Sequence, residues 1–292
     1  MSLDALLHRR EPTAFELLRS NPLLFLSQRV NSWSTCRHPV ISEPPVRIVC
    51  IADTHNHHHH IGLLPDGDIL IHAGDLSQSG TLEELHDTLD WLASHPHPHK
   101  LFIAGNHDHA LSIDDTERAA LLATYPTLTY LQESSTALSV RGRTLHVYGS
   151  PFTPAHGSWP FQYRRGAQHD ARWDAIPPDT DILITHGPPA HHTDRGSGCN
   201  ALLAALWRVR PLLHICGHIH AGRGIEVLRW DRAQTAYERI CAKVGGWMDL
   251  LVVLWGAIGW NAASIRQTVL VNAACLGGFR DEQTRGAVVI NL

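Results

Sequence analysis

Five short polar clusters recur along the chain, each directly behind an apolar run: Asp53-Thr54-His55, Gly74-Asp75, Gly105-Asn106-His107-Asp108, Thr185-His186-Gly187 and Gly217-His218-Ile219-His220. Taken singly, each is an ordinary turn. Taken together, they offer Asp53, His55, Asp75, Asn106, His186, His218 and His220, a set of oxygen and nitrogen donors with no thiolate among them. Such donors suit manganese, iron, zinc or nickel better than a soft ion. The set is too large for one tetrahedral ion, but with one shared carboxylate it makes two four-donor sites, and Asp75 is the candidate bridge.

The elements that must position these side chains are legible in the same rows. Runs at 46–52, 68–73, 101–104, 181–185 and 212–216 have the uninterrupted apolar texture of buried parallel strands. Helical periods lie between them, Leu82, Leu85, Leu89 and Leu92 in one segment and 201–207 in another. Strand alternating with helix predicts an α/β sheet domain, and in open α/β sheets ligands sit beyond the carboxyl ends of the strands. Every polar cluster falls at such an end.

Residues 1–44 read as an N-terminal extension, with a short helix near 14–18 followed by breaks at Asn21-Pro22, His38-Pro39 and Glu43-Pro44-Pro45. The main domain then occupies 45–292, with an insertion at about 224–266 that holds a strand at 225–230 and an apolar helix at 247–260. That helix is expected to be buried, and it is also a candidate for a homo-oligomer contact or a membrane-surface contact. The apolar run 250–260 is well short of the roughly 20 residues a transmembrane helix needs.

Composition narrows the function classes. With 24 Lys and Arg against 28 Asp and Glu, the formal charge of −4 provides no global basic field, so nucleic acid is not an expected partner. The six cysteines form no CxxC pair, and no export signal is visible, which points to a reduced, cytoplasmic setting. Histidine is abundant, 23 of 292 residues, yet the clusters absorb only five of them. Placement, not abundance, carries the chemistry.

The clusters resemble the pattern of the calcineurin-like metallophosphoesterases, DxH, GD, GNH(D/E), H and GHxH, and the resemblance covers roughly 46–292. Within that superfamily the chain is most similar to the MPPED-type (metallophosphoesterase domain-containing protein) branch, through 149–154, Thr185-His186-Gly187-Pro188-Pro189, the GHIH block, and Val271-Asn272-Ala273-Ala274 followed by 288–292. The resemblance implies a four-layer α/β/β/α sandwich of two mixed β-sheets flanked by helices. It also implies that Asp53, His55 and His220 hold one metal, that Asn106, His186 and His218 hold a second, and that Asp75 bridges them. His107 becomes the catalytic histidine that is not a ligand, oriented by Asp108. Two divalent transition-metal ions are expected, manganese favoured, with iron, zinc or nickel as alternatives. A hydroxide shared between the two cations would attack a small phosphomonoester, diphosphate or phosphodiester in line.

Departures from relatives sharpen this. Protein phosphatases of the superfamily continue as GDxVDRG, whereas this chain reads Gly74-Asp75-Leu76-Ser77-Gln78-Ser79-Gly80, without the phosphate-gripping arginine. Both histidines of the GHIH block are present, which favours turnover. Competing readings are a metal- or nucleotide-binding regulatory protein with little turnover and a non-hydrolytic metal-dependent metabolite enzyme. In the aromatic loop 151–173, Trp159, Tyr163, Arg164 and Arg165 are candidate substrate contacts. His57 to His60 read as a solvated loop that binds adventitious nickel or zinc, with a metal-delivery or gating role as the alternative. His191 and His192 read as exposed loop residues or as lining of the pocket mouth, and Asp194 and Arg195 beside them carry the same two readings.

Overall fold

Uninterrupted Val, Ile and Leu runs form strands covered on both faces, because no polar residue alternates with them. The computed structural model describes residues 13–34, 44–166, 170–258, 266–278 and 281–292. In it these runs become β1 (Arg47–Ile51), β2 (Ile69–Ala73) and β3 (His99–Ile103), followed by β4 (Thr129–Tyr130), β5 (Ser134–Val140) and β6 (Arg143–Ser150). Two short strands follow, β7 (Thr153–Pro154) and β8 (Gln162–Tyr163), and then β9 (Ile182–Thr185), β10 (Leu213–Cys216), β11 (Gly224–Arg229) and β12 (Gln267–Asn272). The last are β13 (Leu276–Gly277), β14 (Gln283–Thr284) and β15 (Val288–Asn291). The helices are α1 (Ala14–Ser20), α2 (Pro22–Ser34), α3 (Leu82–Ser94), α4 (Asp115–Leu122), α5 (Ala171–Asp174), α6 (Asn200–Val209), α7 (Arg232–Cys241) and α8 (Trp247–Ile258).

The chain forms two units. The larger is drawn from 38–228 and 266–292, the smaller from 1–37 and 229–265. In the larger unit the first sheet has the order β15-β1-β2-β3-β4, with β15 antiparallel to β1 and the other pairs parallel. The second has the order β11-β12-β10-β9-β6-β5, parallel from β12 to β6 and antiparallel at β5. Alternate residues of both sheets, among them Ile48, Cys50, Ile69 and Ile71 from the first and Ile184, Ile215 and Val271 from the second, form one buried cluster. The sheets therefore pack face to face.

On the outer face of the first sheet, Val49, Ile51, Leu70 and Phe102 pack with Leu85, Leu89 and Leu92 of α3. Each of these leucines contributes about 1.5–3 kcal/mol of hydrophobic stabilisation. Leu82 opens the same helix but stays exposed. α6 buries a stripe of Ala201, Leu202, Ala205, Leu206 and Val209. The result is the expected α/β/β/α sandwich of two mixed sheets flanked by helices.

The smaller unit pairs two stretches that the sequence keeps far apart. Leu23, Leu24 and Val30 of α2 pack with Ala236, Tyr237 and Ile240 of α7 and with Leu250 and Val253 of α8. The expected break at Asn21-Pro22 is instead a junction between two helices. Pro22 opens α2 where a missing N–H costs nothing, and Asn21 Oδ1 accepts a bond from the Leu24 amide at 3.1 Å. His38-Pro39 and Trp260 lie outside the described residues. The expectation of a buried helix at 247–260 needs correction: Leu250, Val253 and Ala257 face inward, but Met248 and Trp255 are 74% and 82% exposed.

Candidate metal centre

Parallel pairing sets the carboxyl ends of the central strands side by side, Ile51 opposite His72 and Ala73 opposite Ile103, so Asp53, Asp75 and Asn106 emerge along one rim. β9 and β10 deliver His186, His218 and His220 in the same way from the second sheet. The chain turns sharply at these ends. Asp53, His55, Asp75 and His218 have φ of +51°, +41°, +53° and +64°, the left-handed region that Asn, Asp and His enter more readily than other side chains. The rims are fastened through the carboxylates, since the His218 amide donates to both oxygens of Asp53 at 2.9 Å and the His107 amide donates to Asp75 Oδ1 at 2.8 Å. Gly105 and Gly217 make room for this, because a Cβ on the first would run into the Asp75 side chain and one on the second into Asp53.

Three overlapping groups of donor atoms result: Asp53, His55 and His220; His55, Asp75 and His107; and Asp75, His186 and His218, each with all its donors within 4.8 Å of one another. His220 Nε2 is 3.7 Å from Asp53 Oδ1, His55 Nε2 is 3.6 Å from Asp75 Oδ2, and His186 Nε2 is 3.2 Å from both Asp75 Oδ2 and Asn106 Oδ1. Asp75 belongs to groups on both sides. Outer partners set the rings: His186 Nδ1 donates to the Ala73 carbonyl at 3.0 Å and His220 Nδ1 to Asp281 at 2.6 Å, leaving each Nε2 turned inward. Both ring nitrogens of His55 are buried and have no hydrogen-bond partner.

Charge explains the protonation pattern. Burial alone would raise the Asp75 carboxyl, but His186 and His55 outweigh it and hold the group well below the usual carboxylate range. Asp53 is lowered too, as His220 and His186 overcome its burial. Burial works against charge on His186 as well, yet Asp75 lifts it to about 9; Asp53 and Asp281 lift His220 to about 10 against the same penalty. At His55 and His218 burial outweighs the pull of Asp75 and Asp53 and pushes both down, His218 to about 3. Two carboxylates thus face two imidazolium ions and two neutral imidazoles. A divalent cation can replace each bridging proton, because metal ligation requires the deprotonated form these rings would then adopt. The unpartnered His55 nitrogens and the purely oxygen and nitrogen donor set fit two such ions.

His107 lies beside this cluster, its ring edge-on to His55 at 4.6 Å and stacked on Trp159 at 4.5 Å with 26° between planes. Its Nδ1 donates to the Gln78 carbonyl at 2.8 Å, so Nε2 is the free nitrogen. Asp108 is not the group that orients it. That carboxylate is buried and accepts from the amides of Leu76, Ser77 and Gly105 and from Ser77 Oγ at 2.7–3.2 Å, binding the GD turn to the GNHD turn. Its carboxyl is pushed up to about 6, first by burial and then by Asp75.

Of the candidate substrate contacts, Trp159 reaches the centre and Arg164 is exposed. Tyr163 is buried with its hydroxyl donating to Cys199 Sγ at 2.8 Å. Arg165 donates to the carbonyls of Pro154, Ala155 and Ser197, so it holds the loop together. His192 is buried with Nδ1 2.9 Å from Glu226, while Asp194 accepts from the amides of His191, Gly196 and Gly198, and Arg195 donates to the Ala221 carbonyl.

Three participants escape sequence reasoning. The Gln78 carbonyl belongs to the backbone and has no sequence signal. Asp281 lies 61 positions from the histidine it orients. His156 packs against His218 at 5.1 Å from inside the aromatic loop, where the nearby arginines drew attention instead.

A probable rhamnogalacturonate lyase C of Emericella nidulans is 45% identical over 99% of this chain, which spans 29% of that protein's length. A UPF0046 protein of Caenorhabditis elegans is 36% identical over 64% of this chain and 68% of its own, and the human metallophosphoesterase domain-containing protein 1 is 37% identical over 63% and 64%. The chain therefore spans under a third of the first relative and about two thirds of the other two. The family model for calcineurin-like phosphoesterases matches residues 46–222, a stretch that runs through every polar cluster from Asp53 to His220, and this chain belongs to that family.

Proposed function

We propose that the protein hydrolyses a small phosphomonoester, diphosphate or phosphodiester, with Asp53, His55 and His220 around one divalent ion, Asn106, His186 and His218 around a second, and Asp75 shared. The observation that carries this reading is His55, an imidazole with two buried, unpartnered nitrogens between Asp53 and Asp75. Leaving such groups unsatisfied costs about 1–3 kcal/mol each. The chemistry supplied by two divalent ions there is neutralisation of phosphoryl charge and a water acidic enough to attack at neutral pH. Oxygen and nitrogen donors without a thiolate support manganese as the preferred ion, with iron, zinc and nickel compatible.

The chain's own residues do the rest. With Nδ1–H committed to Gln78, Nε2 is the His107 atom that would meet a phosphoryl oxygen or pass a proton to the leaving oxygen. Trp159 fixes the ring plane and screens one face of it from water. Arg164 is the proposed anion contact at the loop surface. Five described cysteines are free thiols, which supports a reducing, cytoplasmic setting. No helix among the described residues is long and apolar enough to cross a membrane.

The test is to strip the purified protein of metal and reload it with Mn²⁺, Fe²⁺, Zn²⁺ or Ni²⁺, assaying p-nitrophenyl phosphate and bis-p-nitrophenyl phosphate. Manganese should restore hydrolysis of at least one ester. A folded, metal-loaded protein that leaves both esters and a phosphometabolite panel untouched, yet binds nucleoside monophosphates, would replace this reading with the regulatory one.

A further inference from the structure

Immediately after the first metal cluster the chain makes a three-residue turn, His58–His60, which the centre above does not use. His58 turns inward. Its side chain is fully buried, and its ring lies 5.1 Å from Trp91 of α3. Its Nδ1 is 3.3 Å from Thr88 Oγ1, a hydroxyl that already faces two carbonyl acceptors, Leu76 at 3.3 Å and Glu84 at 3.2 Å. One hydroxyl proton serves those carbonyls, so His58 Nδ1 is the donor to Thr88, and Nε2 carries a lone pair.

That lone pair is buried and has no hydrogen-bond partner. It is aimed at the Asp87 carboxylate, 3.3 Å away, and the other oxygen of Asp87 is 3.8 Å from His59 Nε2. The three donors lie within 4.8 Å of one another. A lone pair held against a carboxylate is repulsive unless a cation lies between them.

We propose that His58, His59 and Asp87 form a further divalent-metal site, separate from the dinuclear centre, that takes one zinc-class ion and leaves its remaining position open to solvent. Two imidazoles and a carboxylate are donors that zinc, nickel and copper prefer over manganese. Side-chain exposures of 61% for His59 and 55% for Asp87 leave the ion an entry path. Occupation would brace the turn against α3. The same stretch already leans on that helix through Asn56 Nδ2, which donates to the Glu84 carbonyl at 3.0 Å, and His57 Nδ1 donates to the carbonyl of His55 itself at 2.8 Å. The brace therefore acts on the segment that carries a ligand of the centre.

The experiment titrates the metal-depleted full chain and a His59→Ala/Asp87→Asn double variant with Co²⁺, counting bound ions per chain by elemental analysis after equilibrium dialysis. Both substituted residues are exposed, so folding is not at stake. The variant should bind one ion fewer at micromolar free metal, while its manganese-supported hydrolysis stays at the wild-type rate. Equal stoichiometry would overturn the proposal, and so would a difference seen only at millimolar metal, which any surface histidine pair could produce. Because the difference between the two proteins counts this site alone, the result stands apart from the fate of the dinuclear reading.

Discussion

The two sheets meet at a common rim with unlike chemistry and like supports. The first sheet contributes two carboxylates, Asp53 and Asp75, with the imidazole of His55 and the amide of Asn106, whereas the second contributes only the imidazoles of His186, His218 and His220. Beneath each rim the same device recurs. His72 Nε2 meets Thr54 Oγ1 at 2.9 Å, and His214 Nε2 meets Thr185 Oγ1 at 2.8 Å. Each hydroxyl donates onward, to the Leu76 carbonyl and the Gly187 carbonyl respectively, so each histidine is the donor to its threonine. The support is duplicated and the charge is not. What joins the rims is therefore the negative charge of one acting on the imidazoles of the other, through protons without metal and through cations with it.

Removing that charge has the largest expected effect. Asp75→Asn should abolish turnover and lower bound manganese on both sides of the rim; a variant that keeps two ions and its activity would dissolve the asymmetry. His107→Gln comes next, with kcat down about 10²–10⁴-fold at unchanged metal content, read by steady-state kinetics beside elemental analysis. Asp281→Asn releases the outer support of His220 and should weaken metal affinity about 10–100-fold, measured by chelator competition. Thr54→Val and Thr185→Val each leave a buried histidine N–H unpaired and should cost about 1–3 kcal/mol by urea unfolding. Equal losses sharpen the likeness of the two supports, and unequal ones break it.

The pH dependence of stability tests the same pair. Burial lowers both His72 and His214 from 6.5 to about 3. Between those values the unfolded chain holds the proton and the folded chain does not, so stability rises with pH in that window. Their contribution is complete above 6.5 and is lost as pH falls toward 3, at up to roughly 1.4 kcal/mol per pH unit for each histidine. His214→Gln should reduce that slope in unfolding measurements between pH 4 and 6.

The strand ends were readable because a buried parallel strand advertises itself as an apolar run and its end as the first polar residue. The clustering of candidate donors followed, since Asp53, Asp75 and His186 owe their places to local chain direction. The small helical unit was not readable, because the pairing of α2 with α7 and α8 is a tertiary choice that neither stretch records alone. Pro22 misled for a specific reason: a proline that ends one helix is also well suited to begin the next. Asp108 misled because adjacency to His107 suggested partnership, whereas the turn directs its carboxylate to backbone amides.

The left-handed backbone at Asp53, His55, Asp75 and His218 restricts what any descendant of this sequence can place there. A residue forced into that region costs roughly 1–2 kcal/mol, least for Asn, Asp and His. Those are the same side chains that supply oxygen and nitrogen donors on a short stem. Lengthening a ligand, as in Asp53→Glu, is therefore opposed twice, by the reach of the donor and by the turn beneath it. Variation in metal preference within this scaffold is open to residues around the candidate ligands such as His156, whose backbone is not left-handed, whereas Asp281, at φ +57°, shares the restriction.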